Sequence, residues 1–509
     1  MARKVKKSEE EGELKTEEGK QIFEQVLRIA KQRGFFVPAC MLYEPIAGFF
    51  DYLHLGTLLK QKLEWFWRKY WIKQEGFYEI SGCVVMKEPV FLASGHLKNF
   101  NDPLVQCKSC KTLYRADKLI HDLLQIDVSE KDLASINELI RKKQLKCPKC
   151  NSLLGEARLF NLMLQVNVGP LNQETCYLRP ETCQSIFVDF AQLYYIKPRL
   201  PLGIAQIGKA FRNEISPRNA LLRLREFTQA EIEIFFDPEQ REHEKFNSIK
   251  DKTLLLWEDS LKPIKAVDLA KEIGQFITYY LARTQEFFFQ LGFTEQEIRL
   301  RKLSQNEKPF YATYAWDLEL KTPLGWIEVV ALHYRSNYDL LSHSKQSKKD
   351  LTVHVNGKKF IPHVFEISQG IDRTLFCLML TQLKQKENWT YFNFKPWIAP
   401  YQVAILPLLK RDHAIKAREI FEQLTELNEF IEFNAYLDET GSIGKRYARA
   451  DEIGVPFCIT IDQETLTNQT VTLRERNSGE QKRIKLIKLN QILIELIKGK
   501  IKWQELKVD

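Results

Sequence analysis

Apolar residues recur along this chain in two different periods, and the changes from one to the other sketch its architecture. Ile22, Phe23, Val26, Leu27 and Ala30 share one face of a helix that Gly34 would stop. Leu59, Leu63, Phe66, Trp67 and Tyr70 do the same over residues 58–71. From about 157 to 238 the rhythm shortens to alternating segments broken by Gly, Pro and Asn, which predicts antiparallel strands. Residues 261–291 read as helices, 311–334 and 363–368 as strands, and a helix is expected from near Asp372. Trp389, Pro396, Trp397 and Pro400 mark 384–400 as a junction. Beyond it, a strand at 403–406, a helix at 412–424 and strands at 435–437, 457–461 and 470–473 predict a small α/β domain. No internal repeat stands out.

One strand carries charge in an unusual place. A period of two puts Glu231, Glu233 and Phe235 on one face and Ile232, Ile234 and Phe236 on the other. The apolar face needs a core, so the carboxylates are expected to line a cleft. Two carboxylates on one strand face repel unless a cation lies between them. Arg223, Arg225 or the ammonium group of an amino acid could each supply it.

Composition narrows the class without choosing a function. At 509 residues the chain is expected to hold roughly three domains. A net charge of +9 suits a polyanionic partner but is common among housekeeping enzymes. Residues 1–20 are a Lys/Glu run without the apolar core of a signal peptide, and no run reaches the roughly 18 apolar residues of a membrane span. A cytoplasmic protein with reduced thiols is expected. Cys107, Cys110, Cys147 and Cys150 form two C-x-x-C pairs that can offer four thiolates to one tetrahedral ion. Such an ion would have no open position and would be a structural Zn²⁺; four free buried cysteines are the alternative. The long spacer is expected to fold out as a helical flap over about 132–143. Cys40, Cys83, Cys176, Cys183, Cys377 and Cys458 sit among apolar neighbours and read as inert core thiols.

The stretch from Tyr177 to Pro238 contains LRPETCQSIF and then AQIGKAFRNEISPRNALLRLREFTQAEIEIFFDP. It closely resembles the glycyl-tRNA synthetase family of the homodimeric type, whose blocks read LRPETAQGIF and FRNEI-x-PR…REF…EIE-x-F. The Phe-Arg-Asn-Glu core is similar to motif 2 of class II synthetases. GWIEVVALHYRSNYDLLSH and PHVFEISQGIDRTLFCLM resemble the family's later blocks, the second being motif 3. KEPVFLASGHLKNFNDPLVQC is similar to motif 1, with Pro89 at a dimer seam. PYQVAILPLL and ARADEIGVPFCITID resemble the anticodon-binding domain shared by the glycyl, prolyl, threonyl and histidyl enzymes.

The resemblance implies a fold, a reaction and a site. The fold would be α+β: a class II catalytic domain on an antiparallel sheet, followed by an α/β anticodon-binding domain. Residues 1–20 would be a charged tail, 21–104 and 151–395 the catalytic domain with a helical insert at about 261–310, 105–150 a zinc-binding insert and 398–509 the anticodon domain. The reaction would be ATP-dependent activation of glycine to glycyl-adenylate and its transfer to glycine tRNA, with Mg²⁺ on the phosphates. Arg212 would hold the α-phosphate, Glu214 the adenine amino group, and Phe227 and Arg373 the two faces of the ring. Asn213, Leu222, Arg223, Leu224, Arg225 and Glu226 would complete the nucleotide wall with Gly370, Ile371 and Asp372, and Glu328 and Val329 would meet nucleotide and metal.

Glycine would meet Glu181, Glu231, Glu366 and Ser368, within a shell of Arg115, Phe227, Thr228, Gln229, Ala230, Ile367, Gln369 and Gly370. Glycine selection would come from gripping the ammonium and leaving no room for a β-carbon, because contact with one methylene yields only about 1–3 kcal/mol. Departures from the family pattern are Cys183 and Ser185 for Ala and Gly, Tyr334 for Asp, Ile367 for Pro, and Leu53 and His54 for Gly and Pro. Cys183 and Ser185 are expected to alter helix packing. His54, His96, His333 and His343 are expected to be structural, since adenylation runs on positioning and charge neutralisation. Lys445, Arg446, Arg449, Arg474 and Arg476 give the last domain a basic cast. Another class II enzyme, such as the prolyl or threonyl one, is opposed by the RPET and EIE blocks. A catalytically inactive, nucleic-acid-binding relative is opposed by the presence of both Arg212 and Arg373.

Overall fold

The computed structural model describes residues 16–128, 132–171, 174–217, 219–305, 307–309, 311–386, 389–409, 411–426 and 433–507. Residues 1–15 of the expected tail lie outside them. The tail is shorter than expected, because a helix already begins at Glu17 behind the N-cap Thr16 and runs to Arg33. Gly34 ends it in the left-handed conformation. The second helix spans His54–Trp67 and continues as a wider turn over Arg68–Lys73.

The central element of the fold is a nine-stranded sheet. In chain order its strands are β1 (Tyr78–Glu79), β2 (Leu202–Phe211), β3 (Glu226–Phe236), β4 (Thr253–Trp257), β5 (Leu261–Lys265), β6 (Ile298–Lys302), β7 (Tyr314–Thr322), β8 (Gly325–Ser336) and β9 (His363–Gly370). They lie in the order β5-β4-β6-β7-β8-β9-β3-β2-β1, antiparallel except for the β2/β1 and β4/β6 pairs. The expected helical stretch 261–310 is therefore mixed. Residues 261–265 and 298–302 are strands that extend the sheet, and the helices between them are Ala266–Ile273 and Gln275–Leu291. Lys-Pro-Ile-Lys after Leu261 gives no helical stripe, and pairing with β4 satisfies its backbone.

The sheet divides its residues as the period of two demands. Ile232, Ile234 and Phe236 of β3 face the main core, where Phe236 stacks on Phe276 at 4.3 Å. Phe235 faces the other way and stacks on Phe190 of the helix Cys183–Ile196 at 4.3 Å. That helix interrupts the expected run of strands over 157–238. Six of its residues, including Cys183, Ser185 and Phe187, are buried, and its mean apolarity hides the 3.6 period.

The region 105–150 folds around its own small core, with helices Ala116–Leu124 and Leu133–Lys142 between the cysteine pairs. Asp132 caps the second, matching the expected flap. After a hairpin of Leu383–Lys386 and Trp389–Phe392, the C-terminal region builds a separate five-stranded sheet. Its strands Val403–Pro407, Ala435–Leu437 and Phe457–Ile461 are parallel, and Thr470–Glu475 and Gln481–Lys485 add antiparallel.

The basic residues of this last region are largely internal. Arg474 makes a buried two-point pair with Asp451 at 2.8 and 2.9 Å. Arg476 donates to the carbonyls of Gly454 and Phe394, Arg446 to those of Gly441 and Pro407, and Arg449 pairs with Asp438. Of the five residues that give this domain its basic cast, Lys445 alone is exposed. The others are spent on turn carbonyls and carboxylates that burial leaves in need of donors.

Candidate active site

Register places the site chemistry in two rows across the sheet. One row runs Gln206, Glu231, Ser368, Ala331 over β2, β3, β9 and β8; the next runs Glu233, Glu366, His333 over β3, β9 and β8. Residues in one row point to the same face, so four strands deliver their polar side chains to one floor. Above it lies one cleft, lined by side chains from these strands and from the segments that cover them.

The cleft brings together most of the expected residues. Arg212, Glu214, Leu222, Arg223, Leu224, Phe227, Glu328, Val329, Gly370, Asp372 and Arg373 line it, as do Glu181, Thr228, Gln229, Glu231, Glu366 and Ser368. Ala230, Ile367 and Ile371 point instead into the core. Gln369 is buried and donates to Thr374. Asn213 binds the Leu162 carbonyl through its backbone, Arg225 ties the carbonyls of Glu214 and Ala47, and Glu226 pairs with Lys209. Arg115 also stands outside the cleft, 3.2 Å from Asp102 and 2.9 Å from Asp117. It connects to the cleft at one remove, because Asp102 lies 4.0 Å from Arg223, which binds Glu214 at 2.7 Å.

At the end that carries Arg212, its guanidinium lies over the rings of Phe100 and Phe227, at 5.4 and 5.3 Å, and donates to the Pro180 carbonyl at 3.1 Å. This clamp fixes a charge whose planar fork suits phosphate oxygens. Arg373 donates to the Glu328 carbonyl at 2.9 Å and stands 3.6 Å from its carboxylate. Asp372 is committed internally: it accepts from Tyr52, Lys60 and the Thr228 backbone. It locks the start of the helix Ile371–Gln382 to β3 and places Arg373 at the rim.

At the other end carboxylates converge. Thr182 donates to Glu231 Oε2 at 2.6 Å and Ser368 to Oε1 at 2.7 Å, while Gln229 donates to the Ser368 hydroxyl at 2.8 Å. Burial, with Glu181 and Glu366 nearby, pushes the Glu231 carboxyl up to about 7. Burial also works to raise Glu181, but His96 and Arg335 outweigh it and hold that carboxyl well below the usual range. Glu366 is lowered despite burial, by Arg335 and His333.

Glu233 departs from expectation. It is buried under the floor and absent from the cleft lining, with both carboxylate oxygens unpartnered. Burial and the facing Glu366 push its carboxyl well above the ordinary value, so a proton resolves the repulsion. Nor do Arg223 and Arg225 separate these acids. The buried cation is Arg335, which binds Asp339 at two points (2.7 and 2.8 Å) and Glu366 at 2.9 Å, with its guanidinium 4.0 Å from the Tyr311 ring.

Sequence reasoning assigned no site role to Arg335, Tyr311, Leu221 or Ala331, and it left His333 as structural. Tyr311, Leu221, Ala331 and His333 all line the cleft. A signal existed for β8, where alternation puts Ala331, His333 and Arg335 on the face opposite Leu332 and Tyr334. His333 meets Glu366 at 2.9 Å and His343 meets Gln184 at 3.0 Å, so these imidazoles support the acidic end.

The departures from the family pattern divide. Ile367 sits in the core and Tyr334 bonds His363 at 2.5 Å, both away from the cleft. Ser185 packs over Gly82, where any β-carbon would lie 2.4 Å from the serine, and accepts from Gln206. Cys183 does more than pack: its thiol donates to Glu181 Oε1 at 2.9 Å. Of the other thiols expected in the core, Cys176, Cys377 and Cys458 are buried, whereas Cys40 and Cys83 are exposed.

The C-x-x-C pairs meet. Cys107 and Cys150 sulfurs lie 3.4 Å apart, Cys110 and Cys147 sulfurs 3.6 Å, and all four lie within 4.8 Å of one another. A tetrahedral Zn²⁺ with sulfurs at about 2.3 Å requires separations of about 3.8 Å, so the donor set fits. Tyr114 stands 3.1 Å from the Cys147 sulfur.

Comparison with known proteins agrees with this arrangement. A family profile described as "tRNA synthetase class II core domain (G, H, P, S and T)" matches residues 167–382, and one described as "Anticodon binding domain" matches 402–496. The chain is 38% identical to a glycine--tRNA ligase of Methanocaldococcus jannaschii, over 94% of this chain and 100% of that one. It is 36% identical to a glycine--tRNA ligase of Pyrococcus abyssi, over 94% of this chain and 99% of the relative. Among solved structures, a Giardia lamblia prolyl-tRNA synthetase in complex with prolyl-adenylate shares the fold, with a TM-score of 0.60 at 15% identity, covering 95% of this chain and 80% of that one.

Proposed function

The chain belongs to the glycine–tRNA ligase family of class II aminoacyl-tRNA synthetases, and from that premise we propose how its cleft divides the work of activating glycine. The inactive-relative reading is not favoured, since both arginines of the nucleotide end line the cleft. The observation that carries the reading is one cavity with Arg212 and Arg373 at one end and Glu181, Glu231 and Glu366 at the other.

ATP lies with its adenine between Phe227 and Arg373 and its α-phosphate against Arg212. Cation–π contact contributes about 0.5–2 kcal/mol. The clamped Arg212 gains more as charge grows on the phosphorus, because it needs no reorganisation. Glycine docks its ammonium among Glu181, Glu231 and Ser368, and the crowded floor leaves no room for a β-carbon. Its carboxylate oxygen then attacks the α-phosphorus in line and pyrophosphate leaves. In the second step the 3′-terminal tRNA hydroxyl attacks the glycyl carbonyl and AMP leaves. Glu328, a hard oxygen donor at the mouth beside Arg373, would hold Mg²⁺, which neutralises the phosphates.

Zn²⁺ on Cys107, Cys110, Cys147 and Cys150 serves structure alone, since four thiolates leave no open position. We assign residues 105–150 to this insert, 21–104 and 151–395 to catalysis, and 398–509 to the anticodon. A homodimer is supported by the exposed apolar Val85 and Leu92 flanking the Pro89 segment. No described helix is long and apolar enough to cross a membrane, consistent with a cytoplasmic enzyme. Arg212→Ala tests the division of labour: ATP–pyrophosphate exchange is expected to fall at least a hundredfold with the fold intact by circular dichroism. Undiminished exchange would refute the role of that arginine.

A further inference from the structure

Three donors converge on one oxygen of Glu181. Cys183 Sγ and Gln184 Nε2 each donate to Oε1 at 2.9 Å, and His96 Nε2 stands 3.3 Å from the same atom. Among the described residues no donor is assigned to Oε2, so the second oxygen is left for a donor arriving in the cleft. Cys183 and Gln184 lie two and three residues after Glu181, whereas His96 reaches it from a distant segment and so fixes the carboxylate in three dimensions.

The His96 ring is itself held. It packs edge-on to Phe91 and Phe100, with centroids at 6.2 and 5.5 Å. Gly95, at φ 81°, supplies the left-handed turn that swings the imidazole toward the cleft. The Ser94 hydroxyl lies 2.7 Å from Nδ1 and 3.5 Å from its alternative acceptor, the Phe91 carbonyl. With Nδ1 held against Ser94, the other ring nitrogen, Nε2, faces Glu181. Phe100 also forms one side of the Arg212 clamp, so a single short segment supports both ends of the cleft.

We infer that His96 is a positioning residue for glycine recognition: its Nε2, 3.3 Å from Glu181 Oε1, holds that oxygen so that Oε2 faces the substrate ammonium. The inference rests on the proposed role of Glu181. In this role His96 acts on the substrate only through Glu181.

The test is glycine- and ATP-dependent pyrophosphate exchange by full-length His96→Ala, His96→Gln and Glu181→Gln variants. Losing a hydrogen bond to a charged group should raise the glycine KM of His96→Ala about tenfold or more, with the ATP KM within about twofold of the parent. Gln places an amide donor near the lost Nε2, and His96→Gln should recover the glycine KM to within about threefold of the parent. An unchanged glycine KM in His96→Ala overturns the inference, as do equal rises in both KM values or failure of Gln to rescue. Glu181→Gln separates the two claims. If it loses glycine affinity while His96→Ala does not, the role of Glu181 stands and that of His96 falls; if it binds glycine normally, both fall.

Discussion

Arg335 and Glu366, one of the carboxylates of the cleft, form a buried charged hydrogen bond, Nη1 to Oε1 at 2.9 Å. Asp339 holds the rest of the guanidinium, and Glu233 lies close enough for Arg335 to oppose its upward shift. One fixed cation therefore steadies an acidic pocket that would otherwise repel itself.

Replacing Arg335 with Met is expected to destabilise the protein by about 3–5 kcal/mol, because Glu366 and Asp339 would remain as buried, unpaired charges. Denaturant unfolding measures this. A loss below about 1 kcal/mol would show that protonation of the acids can substitute for the arginine.

Glu231 gives the pocket a pH signature. Folding raises its carboxyl from 4.5 to about 7, so the folded state holds that proton more tightly. The stability it contributes is intact below the ordinary value and is lost as pH climbs through about 7. Melting of the ligand-free protein should therefore weaken from pH 5 to 8, and Glu231→Gln should flatten that slope. Glycine requires the ionised carboxylate, so its KM should fall from pH 6 to 8, by up to about tenfold per unit below the midpoint. A glycine KM independent of pH in this window would remove Glu231 from ammonium binding.

The four thiols should hold one zinc per chain, counted by elemental analysis of protein prepared without chelator. Cys147→Ser should lower that count and make the region 105–150 sensitive to protease. Exchange activity should also fall, through the chain of contacts from Arg115 and Asp102 to Arg223 and Glu214. Full activity after complete zinc loss would uncouple the insert from the cleft.

Asp451→Asn breaks the buried two-point pair with Arg474, and about 3–5 kcal/mol should be lost from the C-terminal region. Glycine activation should survive while tRNA charging declines. Equal loss of both would place this pair in the support of the catalytic sheet.

What the sequence made legible was chemistry that neighbours along the chain share. Glu231, Ser368, Arg212 and Arg373 sit in contiguous blocks whose strand period or helix start fixes their direction, and the structure collects them in one cleft. Arg335 was missed because its meaning lies in tertiary contact: it sits at an irregularity in the β8/β9 register and reaches Glu366, on a strand about thirty residues away, through its side chain. Glu233 was misread for the same reason, since alternation gives a face but not a depth. The arginines of the last domain looked like a basic surface because composition cannot show which side chains turn inward to cap carbonyls. Arg115 stands one link from the cleft, tied to Asp102, which lies 4.0 Å from Arg223.

The most direct test of the account is ATP–pyrophosphate exchange by the purified chain, measured with each of the twenty amino acids in turn. Exchange is expected with glycine and at least about a hundredfold less with alanine, whose β-carbon would have to fit beside Glu231 and Ser368. Exchange with alanine or proline comparable to that with glycine would contradict it.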